Sequence, residues 1–137
     1  MNRRKQKKLS RRLTTAAWLG ETDTVRALLR SGADPGAADP EGSTPLYRAS
    51  VNGATDIVRL LLAAGADPDV ESGHGHEGLP LCGAACWGHT DTVRALLDAA
   101  ADPSLREDGG TGHTPLEWAQ TGEHAETVAV LRAALGG

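Results

Sequence analysis

Apolar positions recur along this chain with the spacing of a short helix, and the pattern stops and restarts several times. In TDTVRALL, Thr22 to Leu29, a Val is followed one turn later by Leu, so that Val25, Leu28 and Leu29 form one buried stripe. The same eight letters return from Thr90 to Leu97, 68 residues on, which is twice a common repeat period of about 34. A copy midway is therefore expected, and TDIVRLLL, Thr55 to Leu62, supplies it. A degraded fourth copy, AETVAVLR, runs from Ala125 to Arg132. The spacing predicts four units of about 33 to 35 residues, each with a short apolar-faced helix.

Each of these helices carries a stop. RSGADP (Arg30 to Pro35) and AAGADP (Ala63 to Pro68) put Gly32 and Gly65 where a left-handed cap is needed, with Pro beyond to prevent continuation. The third copy has Ala100 in place of glycine, a defect of roughly 1 kcal/mol if that residue still turns left-handed. Upstream of each helix a shorter one is predicted. STPLYRAS (Ser43 to Ser50) begins with Thr44 as N-cap and Pro45 as first helical residue, and Gly53 ends it. HTPLEWAQ (His113 to Gln120) repeats that start. GLPLCGAA (Gly78 to Ala85) has Leu79 for the capping Thr, and SRRLTTAA (Ser10 to Ala17) keeps only the leucine and alanines.

The stretch DPEGSTPLYRASVNGATDIVRLLLAAGADPDV, Asp39 to Val70, resembles an ankyrin repeat: a turn, T-P-L-H-x-A, a helix, a glycine turn, a second helix and G-A-D. The resemblance extends from about Leu9 to the C-terminus. It departs from the pattern at Tyr47, Cys82 and Glu117, which stand where the family's His follows Leu, and the loops before the third and fourth units are two residues longer than that before the second. The resemblance implies an all-α, right-handed solenoid of four helix-turn-helix units with hairpin-like loops. Its units are about 9–38, 39–71, 72–106 and 107–137, behind a basic arm at 1–8. It also implies a non-catalytic protein-binding module that uses the concave face and the loop tips.

On that resemblance the residues before each glycine turn face the groove: Trp18 and Leu19, Val51 and Asn52, Cys86 and Trp87, then Thr121. The expected partner contacts are Trp18, Leu19, Val51, Asn52 and Trp87, with Glu41, His74 and His76 at the tips. Trp is enriched at binding hot spots, but Trp18 or Trp87 can equally cover a neighbouring repeat. Both assignments stay open at this level.

Composition narrows the picture. With no Phe, one Tyr and three Trp, the core must come from Ala, Leu and Val, and small residues imply closely packed helices. The cysteines are Cys82 and Cys86, and no apolar run is long enough to span a bilayer. These features predict a monomer of a reducing compartment, the cytoplasm, without membrane insertion. The LTTAAWLGETD after the basic start is too polar for an export segment.

The net charge of −4 conceals an asymmetry. Seven of the 14 Lys and Arg lie in the first twelve residues and all 18 acids lie later, leaving 7 − 18 = −11 on residues 13–137. The arm RRKQKKLSRR is expected to fray as a solvated leader; the alternative is nucleic acid or an acidic surface, opposed by the acidic body and by the absence of interleaved aromatics. Nucleic acid is therefore not the expected partner.

Chemistry has one other candidate group, His74, His76, Cys82, Cys86 and His89. No paired C-x-x-C is present, Cys82 sits at a semi-buried helix position, and His89 fills the G-H turn position, so no metal is assigned. No nucleophile elbow, Walker loop or H-E-x-x-H occurs, so no catalytic residue, cofactor or small-molecule substrate is assigned. The metal-binding or enzymatic assignment remains the alternative to protein binding.

Overall fold

Threonine–proline starts and left-handed stops act over single turns, and the helices fall between them. The computed structural model describes residues 2–136. Helices α1 (Arg3–Leu19) and α2 (Thr22–Arg30) form the first unit, α3 (Pro45–Val51) and α4 (Thr55–Ala63) the second, α5 (Pro80–Cys86) and α6 (Thr90–Asp98) the third, and α7 (Pro115–Thr121) and α8 (Ala125–Ala134) the fourth. Among the described residues there is no strand. Thr44 accepts a hydrogen bond from the Tyr47 amide, and Thr114 makes a reciprocal capping box with Glu117; Leu79 provides no such bond.

The inner helices α1, α3, α5 and α7 pack in sequence, as do the outer helices α2, α4, α6 and α8. Small side chains make the inner approach close: Ala16, Ala49, Ala84 and Ala119 occupy equivalent positions and are 0–1% exposed. On the outer helices Leu28, Leu61, Leu96 and Leu131 form the matching buried column. Since a unit cannot cover its own apolar stripe, each column is completed only by its neighbours.

Polar bonds repeat in the same register. Thr55 and Thr92 hydroxyls lie 2.8 Å apart, as do those of Thr90 and Thr127, tying adjacent outer helices together. The carboxylates of Asp34, Asp67 and Asp102 each accept the amide two residues on at 2.9 Å, which is the local role of the Asp in each A-D-P turn. Ala100 does turn left-handed, with φ 68°. At the fourth inner turn the left-handed residue is Glu123, φ 59°, one position after Gly122.

Two sequence expectations change. Residues 3–8 are helical and continue α1 without a break, where a fraying leader was expected. The first unit lacks the Thr-Pro start that stops the other inner helices, so nothing interrupts a run of good helix formers. Asn2 caps the run through the Lys5 amide at 2.8 Å, and Gln6 donates to the Gly32 carbonyl at 2.9 Å, fastening the extension to the end of α2. Cys82, expected semi-buried, is 1% exposed. The glycine-rich tips contain successive left-handed residues, two at Gly73–His74 and three at Asp108–Gly110; the single turn Glu107–Gly110 is a loop tip of this kind.

Candidate functional site: the inner-helix ends and loop tips

The last residues of the inner helices form two columns across the units, because the four helices end in register. Trp18, Val51, Cys86 and Thr121 make one column; Leu19, Asn52, Trp87 and Gly122 make the next. Trp18 is 43% exposed, Leu19 61% and Trp87 63%, a concentration of uncovered apolar surface in a chain with few aromatics. Arg48 reaches back from α3 so that its guanidinium carbon lies 4.8 Å from the Trp18 ring centroid, a favourable cation–ring contact.

Other members of the expected set carry scaffold duties. Asn52 donates to the Trp18 carbonyl at 2.6 Å, satisfying an acceptor at the end of α1. His89 and His124 bond the equivalent carbonyls of Val51 and Cys86 at 2.9 and 3.0 Å. Asn52 takes over this task because the second unit has Ala54 at the histidine position. Val51 is half-buried over Gly83, where an added Cβ would meet Val51 Cγ2 at 2.8 Å. At the tips, Glu41, His74 and His76 are exposed, and the His74 ring lies against Gly42. The Gly73 amide donates to the Gly42 carbonyl at 2.8 Å, joining successive tips.

Two polar networks run behind this surface. Arg48 pairs with Glu77 at 3.1 Å, the Ser72 hydroxyl donates to Glu77 at 2.6 Å, and the same hydroxyl accepts the Thr44 amide at 2.8 Å. One unit on, Glu107 replaces Ser72: its carboxylate accepts the Leu79 amide at 3.1 Å and the Trp118 indole N–H at 2.7 Å. Glu107 and Trp118 were not singled out from the sequence. The legible signal was positional, since Glu107 stands 35 residues after Ser72 and 28 after the N-cap it serves.

Burial governs the titration of this region. It pushes Glu107 above the usual carboxylate range and Tyr47 up to about 12, with Glu77 and Glu107 adding to the latter. Cys82 and Cys86 are pushed up first by burial and then by the Glu107 charge, so both stay protonated thiols at neutral pH. A protonated thiol is a poor nucleophile and a poor metal ligand. Cys82 points to the His113 carbonyl at 3.7 Å, while His89 is occupied at Val51 and His74 at Gly42. The candidate His and Cys group is thus spread among separate tasks. Among the described residues no three His, Cys, Asp or Glu side chains are grouped to hold a metal ion.

Residues 11–72 match the family model described as ankyrin repeats (3 copies), and residues 79–108 match the ankyrin repeat model. The chain belongs to the ankyrin repeat family. Ankyrin repeats are generally protein–protein interaction modules and typically non-catalytic. No curated protein matches the chain. The fourth ankyrin-like unit, α7 with α8, lies beyond the matched stretches but repeats their caps and buried columns. Among the described residues no helix of this ankyrin repeat protein is long and apolar enough to cross a membrane.

Proposed function

We propose that this ankyrin repeat protein is a non-catalytic, monomeric binding module of the cytoplasm. It holds a protein partner across the inner-helix ends and the loop tips. Trp18, Leu19 and Trp87 are the apolar anchors in this assignment; Val51 and Asn52 set the floor between them, and Glu41, His74 and His76 flank the tips. The supporting observation is the unequal treatment of the tryptophans. Trp118 is half-buried and spends its indole N–H on Glu107, whereas Trp87 is 63% exposed and its indole makes no hydrogen bond among the described residues. An uncovered ring with an unspent donor suits a partner able to desolvate it and accept a bond.

The test is affinity capture of the partner by the intact chain, followed by titration against wild type and a Trp18→Ala/Trp87→Ala variant. Loss of binding with unchanged thermal unfolding is the expected result. Undiminished binding, or unfolding that falls in step with binding, defeats the assignment.

A further inference from the structure

Arg4, Arg11 and Trp18 follow one another at seven-residue spacing on α1, which places them along one helix face about 20 Å long. Lys7 and Lys8 fall on the same exposed side, and α1 carries no acidic residue. Among the described residues, none of the Lys or Arg side chains of residues 3–12 pairs with a carboxylate. An open groove of about 1150 Å³ lies between this extension and residues 34–40, with Lys7 and Arg11 on one wall and Asp34, Ala37 and Pro40 on the other. The groove is therefore basic along the helix wall, where a ligand's carboxylates would lie, and carries Asp34 and Asp39 among apolar residues along the loop wall.

We infer that this face receives an acidic segment of a protein partner, with carboxylates laid against the α1 extension and an adjoining apolar residue seated on Trp18. Three observations favour a polypeptide over a nucleic acid. The remainder of the chain carries −11, so a uniformly charged polyphosphate is repelled as soon as it leaves the helix, while a peptide can confine its charge to one stretch. The one aromatic of this face, Trp18, stands at its far end and already carries Arg48, and none is interleaved among the basic side chains to stack successive bases. The face ends at an exposed Trp whose ring already carries Arg48, a boundary between cationic and apolar surface. The inference rests on the reading above only through Trp18 and does not require Trp87.

The experiment uses the full chain and three labelled probes: a peptide of consecutive Glu ending in Leu-Phe, its Gln counterpart, and single-stranded DNA of similar length. The Glu peptide should bind, weaken steeply with salt, and lose on the order of tenfold or more in affinity to both Lys7→Glu/Arg11→Glu and Arg4→Glu/Lys8→Glu. The Gln peptide should not bind. Trp18→Ala should remove the advantage of the Leu-Phe end and leave the salt dependence, and Arg59→Ala, exposed on the outer helix α4, should leave peptide affinity unchanged. DNA binding tighter than the Glu peptide at equal salt overturns the inference. So does indifference to both charge reversals in variants that retain wild-type helicity, or an equal loss of the peptide in Arg59→Ala.

Discussion

The Trp118 indole N–H donates to Glu107 at 2.7 Å, while the same carboxylate accepts the Leu79 amide of the preceding unit. Glu107 thus closes the N-terminus of α5, where Leu79 offers no side-chain cap, and holds α7 against it. In the second unit Thr44 supplies a cap of its own and the smaller Ser72 suffices at the equivalent place. In the fourth unit Glu117 caps its own helix by accepting the Thr114 amide. One task, satisfying the inner N-cap amide, is met by three different side chains according to the neighbour present.

The first prediction is a pH dependence. Burial raises the Glu107 pKa in the folded chain above its unfolded value. The folded state therefore binds this proton more readily, so the associated stability is full below the ordinary carboxylate pKa and is lost as pH rises through the folded pKa. Glu107→Gln removes the titration. The stability of wild type relative to Glu107→Gln, from urea unfolding at several pH values, should increase as pH falls across that window. A difference that decreases on acidification contradicts the assignment.

A second prediction separates packing from recognition. Leu61 is fully buried, and Leu61→Ala should cost about 2 to 5 kcal/mol by opening a cavity between neighbouring outer helices. Trp87→Ala should change stability by no more than about 0.5 kcal/mol, as expected of an exposed side chain, while weakening partner binding by on the order of 2 kcal/mol. Chemical denaturation of both variants beside partner titration gives the comparison. Equal losses of stability would make Trp87 a packing residue.

Ala100 offers a gain instead of a loss. It holds φ 68° where the equivalent Gly32 and Gly65 sit at 95° and 106°. Ala100→Gly relieves the left-handed Cβ at some cost in unfolded-chain entropy, so a net stabilisation of about 1 kcal/mol is expected, read as a rise in Tm. A fall in Tm would mean that the methyl contributes more by contact than it costs by strain.

Gly83 tests the inner-helix approach. Alanine is favoured over glycine in a helix, but here its Cβ would lie 2.8 Å from Val51 Cγ2 and 3.2 Å from Tyr47 Cε1. Overpacking should win, and Gly83→Ala should destabilise by about 1 to 3 kcal/mol. Val51→Ala should rescue part of that loss, giving a favourable coupling in a double-mutant cycle. Additive effects would remove Val51 from the inter-unit packing.

The sequence alone determined the number of units, the Thr-Pro helix starts, the glycine stops and the buried leucine columns, and it marked Ala100 as the place where a left-handed turn would need a non-glycine residue. Each depends on a signal acting within a turn or on a periodicity repeated four times: Thr44 and Pro45 cap and preset a helix wherever the chain goes next. Candidate contacts were legible only as positions, at the ends of inner helices and at the loop tips. What the tertiary structure decided is which side chains those positions leave free. The two copies of TDTVRALL show why: each forms the same Arg–Asp pair at 3.2 Å, yet Thr92 is buried against Thr55 while Thr24 meets no equivalent threonine among the described residues and is half-buried. Trp118 is claimed by Glu107 and Trp87 is not, and the basic start became helix by fastening Gln6 to Gly32. These outcomes depend on groups some 11 to 37 residues away in the chain, brought together by stacking. Local backbone signals specify where a helix begins and ends, but the burial of its side chains is fixed by the neighbour it meets.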